Sequence, residues 1–219
     1  MPRGIKDFKA YIFDWDGTLN SPTIINHPFW LKFKKSRFIS EFPPDEKELA
    51  ASEERVLFLK ARKDFTDIEE SLFVKLADVA FSMLKPRFHN GSRELLDYLN
   101  STGKSVALFT DGGLKRVYVE IKHLKAFNYF DVIVSAQSIK RIKPDPTGLK
   151  IIERVLNLES SSCIYFGDRP EDIAAAHGAG MKAAAMLNGF SNPEALKAEK
   201  PEYVFNSMEE VLAACRGKK

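Results

Sequence analysis

Two aspartates one residue apart, Asp14 and Asp16, close an apolar run in the segment YIFDWDGTL at 11–19. Carboxylates at the tip of a buried strand pack poorly unless something neutralises them. In an open parallel sheet, the crevice beyond the carboxyl ends of the strands is where ligands sit. Alternate residues of an extended segment face the same way, so both acids can line one pocket. There Asp14 can attack an electrophile as a carboxylate nucleophile. A second acid, Asp16, can give a proton to a leaving group and later take one from water. The same residues also suit an Asx turn that simply ends a strand.

Three further segments repeat the pattern. ALFTDGG at 107–113 ends an apolar run in a hydroxyl, Thr110, and two glycines ahead of a helical stretch. A helix N-terminus holds anions, and Thr110 can donate to a phosphate oxygen; ordinary capping is the competing reading. RIKPDP at 141–146 places Lys143 before a proline, in extended backbone, with Pro146 suited to a first helical turn. Lys143 there can neutralise carboxylates or a phosphate, or be an exposed loop lysine. YFGDRPED at 165–172 ends another apolar run in Asp168, with Asp172 one helical turn on. Such carboxylates suit Mg²⁺, or cap a helix. Taken together, the four clusters fall at the ends of strands and converge on one edge of a sheet. Asp14, Asp16, Asp168 and Asp172 would repel there without a cation; a bound Mg²⁺ and Lys143 resolve that repulsion.

The elements that must position these residues are short apolar runs alternating with amphipathic stretches. Strands are expected at 10–14, 105–110, 132–135, 163–167, 183–187 and, more weakly, 203–205. Helices are expected at 92–101, 114–127, 146–156, 170–179 and 207–215. This alternation predicts a doubly wound α/β domain with a parallel sheet covered on both faces. The rhythm breaks at about 21–88, where helical patterns at 29–39, 45–63 and 67–85 carry no convincing strand. Pro22, Pro28, Pro86 and Gly91 punctuate its ends. A small all-helical domain over the site is expected there, with 1–20 and 89–219 forming the core.

Composition excludes several classes. The chain of 219 residues is 44% hydrophobic and 29% charged, which fits an ordinary globular protein. A net charge of +3 with scattered Lys and Arg gives no nucleic-acid footprint. No apolar stretch is long enough to span a bilayer. Cys163 reads as a small buried hydrophobe, and two cysteines, Cys163 and Cys215, make no disulfide framework. A cytoplasmic location is expected.

The four blocks in this order resemble the haloacid dehalogenase superfamily, whose pattern is Asp-x-Asp-Gly-Thr, a strand-end Thr or Ser, a Lys, then Gly-Asp with further acids. The helical insert resembles its type 1 cap, as in phosphoglycolate phosphatases and β-phosphoglucomutases, and the core is then Rossmann-like. The resemblance implies that Asp14 is a nucleophile forming an aspartyl-phosphate, with Asp16 as general acid/base. Thr110, helped by the backbone N–H groups of Asp111 and Gly112, would bind the phosphoryl group. Lys143 would steady nucleophile and phosphate. Mg²⁺ would sit on Asp14, the backbone carbonyl of Asp16 and Asp168, with Asp172 binding it or orienting its waters. Two residues depart from the pattern: Asp111, where many relatives have Asn, and Arg169, where a small residue is usual.

The expected activity is a Mg²⁺-dependent phosphatase acting on a small phosphorylated metabolite. A phosphomutase of the β-phosphoglucomutase type and a non-catalytic phosphate- or metal-binding module are the alternatives. Asp16 speaks against dehalogenation, and no lysine among Lys32, Lys34, Lys60 and Lys63 is marked out for phosphonate hydrolysis. His27, Trp30, Arg62 and His89 are candidates for substrate contact. No nucleic-acid or membrane partner is expected, and the chain is expected to be a monomer or homodimer.

Overall fold

The computed structural model describes residues 4–21, 86–112, 114–135, 139 and 141–217. Among these residues, strands β1 (Ala10–Phe13), β4 (Ser105–Thr110), β5 (Val132–Ser135), β6 (Cys163–Gly167), β7 (Lys182–Met186) and β8 (Tyr203–Phe205) form one sheet in the order β5-β4-β1-β6-β7-β8. Every pairing in it is parallel, with Phe13 opposite Leu108 on one side and Phe166 on the other. Strand order reverses at β1, so the crevice beyond its carboxyl end is the topological switch point of a doubly wound sheet. Asp14 is the first residue past that end.

Alternation along each strand builds two cores. Tyr11, Phe13, Leu108, Ile164 and Phe166 face one layer of helices, with Leu95, Leu96 and Leu99 of α1 (Ser92–Ser101), Val117 and Ile121 of α2 (Leu114–His123) and Val211 of α6 (Met208–Cys215). Ala10, Ile12, Ala107, Phe109 and Tyr165 face the other, with Leu149 and Ile152 of α3 (Thr147–Leu156), Ile173 and Ala176 of α4 (Pro170–Ala179) and Leu196 of α5 (Pro193–Ala198). Each large side chain removed from water this way stabilises the fold by about 1.5–3 kcal/mol. Both cysteines are free and buried, as the sequence predicts for Cys163.

The observed elements differ from expectation in instructive places. Helix α2 stops at His123 rather than 127, because Lys125 adopts left-handed backbone (φ 54°) and a 3₁₀ turn follows at Phe127–Tyr129. Helix α5 was not anticipated; it is six residues long, started by Asn192 accepting the Glu194 N–H at 2.8 Å and by Pro193 in its first turn. A short antiparallel ribbon pairs β2 (Asn20–Ser21) with β3 (Arg87–Phe88). The described residues on either side of 22–85 therefore lie on adjacent strands. The helices expected at 29–39, 45–63 and 67–85 lie outside the described residues, as do His27, Trp30 and Arg62.

Candidate active site

The carboxyl ends of β1, β4 and β6 and the loop after β5 bring the four sequence blocks together. Asp14, Asp168 and Asp172 each offer an oxygen within 4.8 Å of the others, and all three are buried. Lys143, 3% exposed, reaches into the same cluster. Its ammonium donates to Asp14 Oδ1 at 2.7 Å, lies 2.6 Å from Asp172 Oδ1 and donates to the Tyr165 hydroxyl at 3.1 Å. Lys143 thereby pins Asp14 through its Oδ1.

Asp172 is differently placed. Its Oδ1 meets Lys143 and the Tyr165 hydroxyl (3.2 Å), and its Oδ2 accepts the backbone N–H groups of Asp168 (3.1 Å) and Arg169 (2.9 Å). Asp168 accepts from the Thr18 hydroxyl (3.2 Å) and the Phe190 N–H (2.8 Å). Thr110 ends β4 beside this cluster, and its hydroxyl accepts the Gly112 N–H at 2.9 Å.

Electrostatics makes the cluster a candidate cation site. Burial pushes Asp14 well above the usual carboxylate range; Lys143 opposes this, while Asp172, Asp168 and Asp16 add to it. Burial also pushes Asp168 up to about 6, against the pull of the Phe190 N–H. Burial alone would lower Lys143, but Asp14 and then Asp172 more than reverse it, so it stays charged. Three carboxylates against one ammonium leave a formal charge of −2. Arg116 is engaged by Asp16, and Arg169, paired with Asp111, also faces the charges of Asp172 and Asp14 and offsets only part of the excess. Hard carboxylate oxygens with that residual charge fit a divalent cation.

A family profile described as haloacid dehalogenase-like hydrolase matches residues 11–186, which spans all four blocks. The chain belongs to this family. Among its relatives, the phosphoglycolate phosphatase of Pseudomonas fluorescens is 26% identical over 151 residues, covering 68% of this chain and 56% of that protein. The phosphoglycolate phosphatase of Salmonella choleraesuis is 24% identical over 176 residues, covering 78% of this chain and 64% of that protein. The chain thus spans only about half to two-thirds of the length of the curated relatives it matches. Two solved structures share the fold: a Deinococcus radiodurans HAD family hydrolase with bound phosphate and sodium (TM-score 0.67, 19% identity, 97% of this chain and 96% of that one) and Rhodobacter sphaeroides CbbY in complex with phosphate (TM-score 0.64, 20% identity, 95% and 99%).

Within this haloacid dehalogenase-like core, Asp16 is held apart from the three-acid cluster. Arg116 on α2 grips it with two hydrogen bonds, 2.9 Å to Oδ1 and 2.5 Å to Oδ2. The same guanidinium holds Glu120, which also accepts the indole N–H of Trp15 at 2.6 Å. Trp15 itself is fully buried, with Phe88 and Phe130 packed edge-on against it. Sequence reasoning missed Arg116, Glu120, Tyr165, Thr18 and Phe190. One signal was available: Glu120 shares the apolar face of Val117, Ile121 and Leu124, where an acid needs a buried partner. Tyr165 reads as a core aromatic, and only its hydroxyl betrays it.

Gly17 shows how tightly the first block closes on the last. Its φ is +83°, and a Cβ there would strike Asp168 Oδ2 and the Phe190 ring. Gly17→Ala is therefore expected to lose metal affinity at least about tenfold, with about 1 kcal/mol of backbone strain besides. Calorimetric titration with a divalent cation checks this, and unchanged affinity would contradict it.

Proposed function

We propose that this haloacid dehalogenase-like hydrolase is a Mg²⁺-dependent phosphatase that hydrolyses a small phosphorylated metabolite through an aspartyl-phosphate on Asp14. The observation that carries this reading is the single ammonium of Lys143 bridging Asp14 and Asp172 at 2.7 and 2.6 Å inside a buried three-carboxylate cluster. Lys143 pins one Asp14 oxygen, leaving the other as the proposed attacking atom. Lys143 and Thr110 then stabilise charge on the transferring phosphoryl group, together with backbone N–H groups of the 110–112 turn. Asp16, oriented by Arg116, serves the leaving oxygen first and the attacking water second.

Asp14, Asp168 and the Asp16 carbonyl would hold Mg²⁺. The ion would polarise the phosphoryl oxygens and screen the approach of one anion to another. Asp172, whose oxygens already accept four protein donors, is better suited to orient than to ligate. Residues 21–88 would form the substrate-selecting cap, a role supported by the paired β2–β3 strands that hold its two ends beside one another. The relatives' name makes phosphoglycolate the first substrate to test.

The metal requirement has a direct check. Turnover of an aryl phosphate is expected to stop in EDTA and return with Mg²⁺; full activity in chelator would refute the cation site. Protons compete with the ion for Asp168, whose carboxyl sits at about 6. At limiting Mg²⁺, activity should therefore fall as pH drops through about 6, and excess Mg²⁺ should move that limb to lower pH. A limb insensitive to Mg²⁺ would show that Asp168 is not a ligand.

A further inference from the structure

Asp111 and Arg169 lie 58 positions apart in the chain and form an ion pair at 2.7 Å. We propose that this pair is a positioning clasp that joins three loops of the site and cancels a negative charge at the phosphoryl-binding turn. The proposal rests on the reading of the site as a phosphoryl pocket.

One carboxylate makes the connection. Asp111, on the turn after β4, accepts from the Arg169 guanidinium at Oδ2 and from the backbone N–H of Lys143 at Oδ1, the latter at 3.1 Å. Arg169, on the loop after β6, gives its own N–H to Asp172 at 2.9 Å. The backbone of Lys143 is thereby tied to the same turn that carries Thr110, and its ammonium to Asp14. An Asn at 111 could accept the Lys143 N–H without any counter-charge. An Asp brings a full negative charge beside the site of a phosphate dianion, and Arg169 offsets it. Both side chains are only partly exposed, 23% for Asp111 and 30% for Arg169, so solvent screens the pair incompletely.

The sign pattern of a double-mutant cycle tests this, read by calorimetric binding of inorganic phosphate in the presence of Mg²⁺. Arg169→Ala exposes the Asp111 charge and should weaken phosphate binding about tenfold. Asp111→Asn frees the guanidinium and should bind phosphate at least as tightly as wild type. The double variant should return to within about threefold of wild type, a rescue that a merely structural role would not give. Melting temperatures report folding separately, and Arg169→Gln replaces Arg169→Ala in the cycle if the alanine variant unfolds. A double variant that stays as weak as Arg169→Ala, or an arginine variant that binds phosphate like wild type, would overturn the clasp. Failure of the wild type to hydrolyse any aryl phosphate or to bind phosphate would instead overturn the phosphoryl-pocket reading, and the clasp with it.

Discussion

The Asp14→Asn protein is expected to fold as well as the wild type and to lose phosphatase turnover by about 10⁴-fold or more, at least about 5 kcal/mol of transition-state stabilisation. The amide keeps the size of the carboxylate and can still accept from Lys143, which now donates to Asp14 Oδ1 at 2.7 Å. What it lacks is the negative oxygen that would attack phosphorus. Stability moves the other way. Burial and three neighbouring carboxylates make the charge on Asp14 costly in the metal-free protein. Removing that charge should leave the metal-free melting temperature unchanged or higher, while weakening Mg²⁺ binding. Thermal melts with and without Mg²⁺, alongside aryl phosphate assays, separate the two effects. A folded variant that retains activity within tenfold would refute the nucleophile assignment.

Lys143→Met should damage both stability and catalysis. The Lys143 side chain is fully buried and paired with two carboxylates. Removing one partner of a buried ionic cluster costs about 3–5 kcal/mol, because the remaining charges stay uncompensated. For a chain of this size that corresponds to a fall in melting temperature on the order of 10 °C. Added Mg²⁺ should recover part of the loss, making the variant more metal-dependent in stability than the wild type. Activity should remain low even at saturating Mg²⁺, since the ion does not replace the donor to Asp14 Oδ1. A variant that melts like the wild type without metal would show that the carboxylate cluster does not need its lysine.

Much of this was legible in the sequence for physical reasons. The strands at 105–110, 132–135 and 163–167 appear at their expected limits, because continuous apolar runs ending in polar turns are what a sheet covered on both faces requires; the edge strand at 203–205 also matches, with Val204 exposed. The convergence of Asp14, Lys143, Asp168 and Asp172 followed from the rule that parallel strands present their carboxyl ends to one edge. Less legible were features decided by tertiary contact. The destination of Asp16 depends on Arg116, 100 positions away, which no local pattern announces. Asp111 and Arg169 each looked anomalous alone and are explained only by each other. Tyr165 is simultaneously a core ring on β6 and a hydroxyl bridging Lys143, Asp172 and the Phe109 carbonyl (3.0 Å). Helix α5 escaped because six residues carry too little periodicity to register.

The proposed hydrolysis depends on transient phosphorylation of Asp14. Acid quenching during turnover of an aryl phosphate, followed by peptide mass spectrometry, measures this directly. One phosphoryl group should appear on the peptide containing Asp14, be absent in Asp14→Asn, and be discharged by water without an added sugar phosphate. Turnover at full rate with no acyl-phosphate at Asp14, or with the label on another residue, would contradict the account.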